Sequence, residues 1–253
     1  MIPRISPHRA LLLFARLPEL GRVKTRLSPR FTPEEALALH RALLMDSLDL
    51  MQRAAEASQA SLWLYLSAAG ELDAELAPHL GPARVRTQRG ADLGERLRHA
   101  FHECFAAGAE RVVVLGSDSP HLPAALVVRA FAELERSEVV LGPARDGGYY
   151  LLAASRFHPT LFAAIPWGTP QVYRETVRRA RQQEIPIVSL PAWNDVDTPE
   201  ATAQLWQDLA RRRAAGSPEI PAASFALLEE WARQGKLGQG ESASLRKEGE
   251  GEK

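Results

Sequence analysis

Between Arg16 and Arg26 the chain carries four cations, Arg16, Arg22, Lys24 and Arg26, in eleven residues around Gly21. A loop of this kind can wrap a diphosphate, with backbone N–H groups near Gly21 and the charged heads of Lys24 and Arg26 meeting phosphate oxygens. The competing reading is a solvated basic loop. Gly21-Arg-Val-Lys24-Thr25 is not a P-loop, because the place directly before the lysine, where that pattern needs glycine, holds Val23. Lys24 also stands out by type. The chain has 31 lysines and arginines, of which the lysines are Lys24, Lys236, Lys247 and Lys253, the last three near the C-terminus. Either this is chance in an arginine-biased composition, or Lys24 does something a planar guanidinium cannot, such as placing a compact point charge on a phosphate.

Acids cluster at three further places. Gly116-Ser117-Asp118-Ser119-Pro120 ends the most apolar run of the chain, and Asp118 there could hold Mg²⁺ or Mn²⁺ against a diphosphate, although Asp and Pro are also ordinary turn residues. Gly142 to Tyr150 contains Asp146-Gly147-Gly148, either a hairpin turn or a place where paired glycines let a substrate approach the main chain. Asp146 is the candidate base in that cluster. In Trp193-Asn-Asp195-Val-Asp197-Thr198-Pro199, an extended backbone puts Asp195 and Asp197 on one side, where both could face one metal, while Asp197 or Thr198 could also cap a helix opening at Pro199. A weaker cluster, Gln88 to Arg96, reads mainly as helix capping by Asp92. His99, His102 and Cys104 lack the spacing of a zinc site, and Cys104 falls on an apolar stripe.

The elements that must position these residues alternate in type. Strand-length apolar runs fall at 10–15, 61–67, 85–88, 111–116, 138–142, 149–153 and 186–190. Helical periodicity lies between them: a helix capped by Thr32 with Pro33 first, running to about Ala55; one capped by Asp92 that buries Leu93, Leu97, Phe101, Cys104 and Phe105 and exits at Gly108; and others at 123–136, 170–183 and 199–213. This alternation predicts an α/β fold with a mostly parallel central sheet and helices on both faces, its chemistry in loops beyond the carboxyl ends of the strands. Residues 1–215 form the expected domain. Residues 216–253 read as an extension with a short helix at 222–233 and a disordered Gly, Glu, Ser and Lys-rich end.

Composition excludes some partners. The 31 basic residues balance 31 acidic ones, so no broad positive field exists for nucleic acid or an anionic membrane. No apolar run approaches the roughly 20 residues of a membrane span. One cysteine and the lack of a secretory start point to the cytoplasm. Oligomeric state is not legible.

Taken in order, Phe14 to Leu27, Asp92-Leu-Gly-Glu-Arg96, Gly116 to Pro120, Gly142 to Tyr150 and Asp195-Val-Asp-Thr-Pro199 resemble the bacterial selenodomain-associated transferase 1 group, GT-A-like nucleotide-diphospho-sugar transferases. The Lys-Thr-Arg-Leu and Asp-Val-Asp-Thr-Pro pieces are also similar to guanylyltransferases of 2-phospho-lactate and of the molybdenum cofactor. The resemblance, covering about residues 10 to 206, implies a Rossmann-like GT-A fold, a nucleotide-sugar donor and Mg²⁺ or Mn²⁺. With it go a nucleotide and phosphate site at Ala15, Arg16, Gly21, Lys24, Arg26, Arg96, Ser117, Gly147 and Gly148, metal ligation by Asp118 with Asp195 or Asp197, and catalytic roles for Lys24 and Asp118; Asp146 is added as a catalytic base only because it is an acid beside Gly147 and Gly148. Pro120 stands where a strict Asp-x-Asp would have its second acid. Glycosyl transfer to an unidentified small-molecule acceptor is the leading expectation. The rivals are nucleotidyl transfer from a nucleoside triphosphate with release of pyrophosphate, and nucleotide binding without catalysis.

Overall fold

The computed structural model describes residues 8–237. Among them seven strands form one sheet: β1 (Arg9–Ala15), β2 (Ser61–Leu66), β3 (Arg84–Thr87), β4 (Arg111–Gly116), β5 (Val139–Pro143), β6 (Tyr149–Ala154) and β7 (Ile187–Ser189), in the order β3-β2-β1-β4-β6-β5-β7. All pairings are parallel except those of β6, which runs antiparallel to both β4 and β5. Reversing one strand leaves the carboxyl ends of β1, β4, β5 and β7 on the same edge of the sheet. The three acid clusters and the basic loop all leave from that edge.

Strand alternation divides the core into two layers. Leu11, Leu13 and Ala15 of β1 face α1 (Pro33–Ser58) and α4 (Ala124–Glu133), whereas Ala10, Leu12 and Phe14 face α3 (Leu93–Ala106) and α5 (Val172–Gln182). The Thr32 cap is a full capping box with Glu35. α2 (Ala77–Leu80), a single turn, has no counterpart in the sequence reading. One detail of the apolar stripe differs: Leu93 is exposed and Gly94 is buried in its place. A β-carbon at Gly94 would lie 2.1 Å from Trp167 Nε1, so a tryptophan from another loop occupies the space that periodicity gives to a side chain.

A third apolar cluster sits on the far side of α1. Leu27, Phe31, Leu39 and Leu43 meet Leu205 and Leu209 of α6 (Pro199–Ala214) and Leu228 and Trp231 of α7 (Ala222–Arg233). The helix at 222–233 thus packs on the same core as the rest of the chain, while the polar end from 238 onward lies outside the described residues. α7 has no side-chain cap of its own. Instead Asp46, buried on α1, accepts hydrogen bonds from the N–H groups of Ala223 (2.9 Å) and Ser224 (2.6 Å), donors that a helix start otherwise leaves unpaired. Asp46→Ala removes both acceptors, so it is expected to cost about 1–3 kcal/mol and to deprotect residues 222–233 in hydrogen exchange ahead of the sheet.

Candidate active site

The chain leaves β1 at Ala15, passes Gly21 and turns inward at Lys24, whose backbone is left-handed (φ 49°, ψ 37°). That conformation costs a non-glycine residue ~1 kcal/mol or more and persists where surrounding contacts hold it. Here the contacts are ionic. The Lys24 ammonium donates to Asp118 Oδ1 at 2.6 Å, Asp197 Oδ1 at 2.7 Å and the Val196 carbonyl at 2.6 Å. Its side chain is 3% exposed, but those of Asp118 and Asp197 are 38% and 39% exposed, so each acid also reaches solvent. All three donors of Lys24 are taken within the protein, and the free charge expected to point at a phosphate is turned onto the acids.

Each acid is placed by its own element. Asp118 follows β4, and its carbonyl accepts the N–H of Val196 at 2.9 Å, tying the post-β7 segment to the end of β4. The same segment is sewn to the β5–β6 loop by Trp193 N–H to the Pro143 carbonyl (3.0 Å) and Arg145 N–H to the Trp193 carbonyl (3.2 Å). Thr198, not Asp197, caps α6 through Ala201 N–H, which frees Asp197 for Lys24. Asp195 does not share the cation with Asp197. It accepts from Ser119 Oγ at 2.6 Å, and the pair converging on Lys24 is Asp118 with Asp197.

The environments split the acids. Burial alone would raise the Asp118 carboxyl and discharge Lys24, but each outweighs that penalty on the other: Asp118 is held below the usual carboxylate range, with Arg16 adding to Lys24, and Lys24 is held above its ordinary value by Asp118 and Asp197. Asp195 is pushed up to about 7, chiefly by burial; the Ser119 hydroxyl opposes this and the charges of Asp118, Asp146 and Asp197 add to it.

Beside the acids lies a cavity of about 210 Å³ lined by Arg26, Arg145, Asp146, Asp195 and Asp197, with His121 and the Ala201, Gln204, Leu205 and Asp208 face of α6 on its walls. Sequence reasoning missed His121 and this helix face. The spacing of Ala201, Gln204, Leu205 and Asp208 marks one side of a helix but not what that side meets. Burial, with Arg212 adding, pushes the His121 imidazole down to about 4, so it is neutral at physiological pH. His40, also buried, donates from Nε2 to the Arg16 carbonyl at 3.0 Å and braces the start of the basic loop; burial keeps it neutral as well.

The other expected residues are placed as follows. Arg16 is exposed at the mouth of the β1 loop, Gly21 (φ 73°) turns that loop, and Ala15 and Ser117 are buried beside it. Arg96 bonds the Gly90 carbonyl at 3.1 Å and supports the loop before α3. Asp146 accepts the Gly148 N–H at 2.9 Å while lining the cavity. Gly147 (φ 92°) has a packing reason for its type: a β-carbon there would lie 2.1 Å from the Pro170 carbonyl oxygen, so the close approach is to the protein's own backbone. His99 donates to the Arg89 carbonyl, and Cys104 is buried in the second core layer.

Among the described residues no group of three or more His, Cys, Asp or Glu side chains is arranged around one metal position. Two carboxylates and a carbonyl do converge on one point, which is the donor set from which a divalent ion takes one or two protein ligands and completes its shell with phosphates and water. Asp118 and Asp197 therefore fit such an ion.

A basic loop after the first strand, acids at the carboxyl edge of the sheet and a small cavity between them define an α/β transferase of the nucleotide-binding kind. Comparison with known proteins agrees. The family described as "Uncharacterized protein conserved in bacteria (DUF2064)" matches residues 50–169. A 3-phospho-D-glycerate guanylyltransferase of Phenylobacterium zucineum is 31% identical over 205 residues, 76% of this chain and 88% of that protein. A 2-phospho-L-lactate guanylyltransferase of Methanothermobacter thermautotrophicus is 32% identical over 125 residues, 49% of this chain and 53% of that protein. The crystal structure of a candidate nucleotide-diphospho-sugar transferase from Desulfovibrio desulfuricans superposes with a TM-score of 0.75 at 34% identity, covering 90% of this chain and 96% of that one. The chain belongs to this family of nucleotidyl and nucleotide-diphospho-sugar transferases.

Two outcomes test the electrostatics. Lys24→Arg cannot bring three acceptors onto one atom, so it is expected to lower stability by ~1–3 kcal/mol in denaturant melts, less than for a fully enclosed pair because both carboxylates reach water. Asp195 binds its proton more tightly folded than unfolded, so its contribution to stability is present below its ordinary value of 3.8 and is lost as pH rises through about 7. Asp195→Asn should accordingly change the melting temperature little near pH 4 and raise it above pH 7.

Proposed function

We propose that this protein is a nucleotidyltransferase that joins a nucleoside monophosphate, taken from a nucleoside triphosphate, to a small anionic acceptor. The observation that carries this reading is the cavity beside Asp118 and Asp197: at about 210 Å³ it suits a small molecule better than a whole nucleotide, and Arg26 and Arg145 offer an anion two cations on walls that also carry Asp146, Asp195, Asp197 and Asp208. The relatives support it, since the 3-phospho-D-glycerate and 2-phospho-L-lactate enzymes are both named for guanylyl transfer to small phosphorylated acids.

In this reading Arg26 and Arg145 hold the acceptor with an oxyanion facing the α-phosphorus. A phosphorus–oxygen bond forms to the acceptor, the bond from the α-phosphorus to the bridging β-oxygen breaks, and pyrophosphate leaves. An acceptor that attacks through an ionised phosphate oxygen has no proton to lose, so the step needs no general base and leaves Asp146 free to shape its loop. Asp118 and Asp197 would hold a divalent ion such as Mg²⁺ or Mn²⁺, which supplies charge neutralisation to the phosphates. The basic loop from Arg16 to Lys24 would meet the triphosphate.

Glycosyl transfer is the second reading, favoured by the Desulfovibrio desulfuricans likeness. There Asp146 is the candidate base for a hydroxyl acceptor. A pyrophosphate-release assay with four nucleoside triphosphates and a set of phosphorylated hydroxy acids separates the two. The expected result is release that depends on one triphosphate and one acid, falls about 100-fold or more in Asp118→Ala, and shows a raised KM for the acid with little change in kcat in Arg26→Ala. Release of nucleoside diphosphate from a nucleotide-sugar, with no pyrophosphate from any triphosphate, would overturn the nucleotidyl reading.

A further inference from the structure

We propose that Lys24 is a resident cation that closes the divalent-metal position until a polyphosphate draws its ammonium away, so that metal and polyphosphate enter the site together. The inference rests on the metal reading of Asp118 and Asp197 given above. Its basis is the point at which Lys24 Nζ sits: 2.6 Å and 2.7 Å from one oxygen of each acid and 2.6 Å from the Val196 carbonyl. These are hard oxygen donors gathered around a single charge, the arrangement a small divalent ion seeks. An ion that used the same oxygens would meet a full positive charge within bonding distance of them, in a place where water screens poorly on the Lys24 side.

The arrangement is also built to release. The ammonium ends a flexible four-carbon stem that can swing onto a phosphate oxygen, which a guanidinium fixed by three divergent bonds could not do. The left-handed backbone at Lys24 is held by the cluster and has somewhere to relax when the cluster opens. Arg16, in the same loop and exposed, is the charge that would bring a polyphosphate to it. Lys24 in this account is a positioning residue: it keeps the acid pair assembled and shut to free metal, then gives up its place.

The test is Mn²⁺ alone, titrated by electron paramagnetic resonance into the full chain, Lys24→Gln, Lys24→Met and the double variant Lys24→Gln/Asp118→Asn. The expected result is that both single variants bind free Mn²⁺ about tenfold or more tightly than the native chain, and that the gain disappears in the double variant. Equal affinity in native and variant chains, or a gain that survives Asp118→Asn, would overturn the proposal. Should the variants fail to fold, the native chain answers by itself: with only four lysines, ¹⁵N-lysine labelling resolves the Lys24 ammonium. Mg²⁺ alone should leave that signal in place and Mg²⁺ with inorganic tripolyphosphate should move it; movement by Mg²⁺ alone, or none with both, would contradict the proposal. Neither readout involves turnover, so a failure of nucleotidyl transfer and a failure of this inference are separate results.

Discussion

A buried ammonium is tolerated only when its charge is matched and all its N–H groups are bonded, and that requirement at Lys24 organises the site. One atom ties the loop after β1 to the turn after β4 and to the segment before α6, positions 94 and 173 residues away. The sheet makes this feasible. β1 and β4 are neighbours, so Lys24 and Asp118 emerge side by side, and the post-β7 segment crosses the carboxyl edge between them because its backbone is sewn to Pro143 and to Asp118. Thr198 takes over the capping of α6, and Asp197 is left for the cation. Remove the ammonium and two carboxylates face each other with no charge between them.

The same neighbourhood shows how environment gives like residues unlike tasks. Asp118 and Asp195 lie at the same edge of the sheet, yet the first is held low by a directly bonded cation and the second, whose main partner is a neutral hydroxyl, rises to about 7. His40 and His121 are neutral because burial disfavours their charged forms, so the positive charge around the cavity comes from arginines on its walls. An anionic ligand therefore meets Arg26 and Arg145 on the cavity walls, beside an acid pair whose charge Lys24 offsets only in part.

Much of this frame was legible in the sequence because the signals are local. Six of the seven strands carry short apolar runs, the exposed edge strand β3 (Arg84-Val-Arg-Thr87) being the exception, and Thr32-Pro33 with Glu35 announces its helix through contacts confined to one turn. The isolation of Lys24 among arginines pointed to a residue that guanidinium cannot replace, and the three convergent bonds give the physical reason. Its target was not legible: pairing with Asp197 depends on the path of a segment 173 residues away. For the same reason alternation along the segment puts Asp195 and Asp197 on one side but does not show that Asp195 accepts from Ser119 while Asp197 takes Lys24. Gly94 in place of Leu93, the His121 wall of the cavity and the capping of α7 by Asp46 likewise depend on partners remote in sequence.

The most direct test is a crystal structure with Mn²⁺ and a non-hydrolysable nucleoside triphosphate, read by manganese anomalous scattering. The account predicts a peak bonded to both Asp118 and Asp197, phosphate oxygens completing its shell, and the Lys24 ammonium moved from the acids onto the phosphates. A manganese position away from this pair, or a nucleotide bound with Lys24 still seated between Asp118 and Asp197, would contradict it.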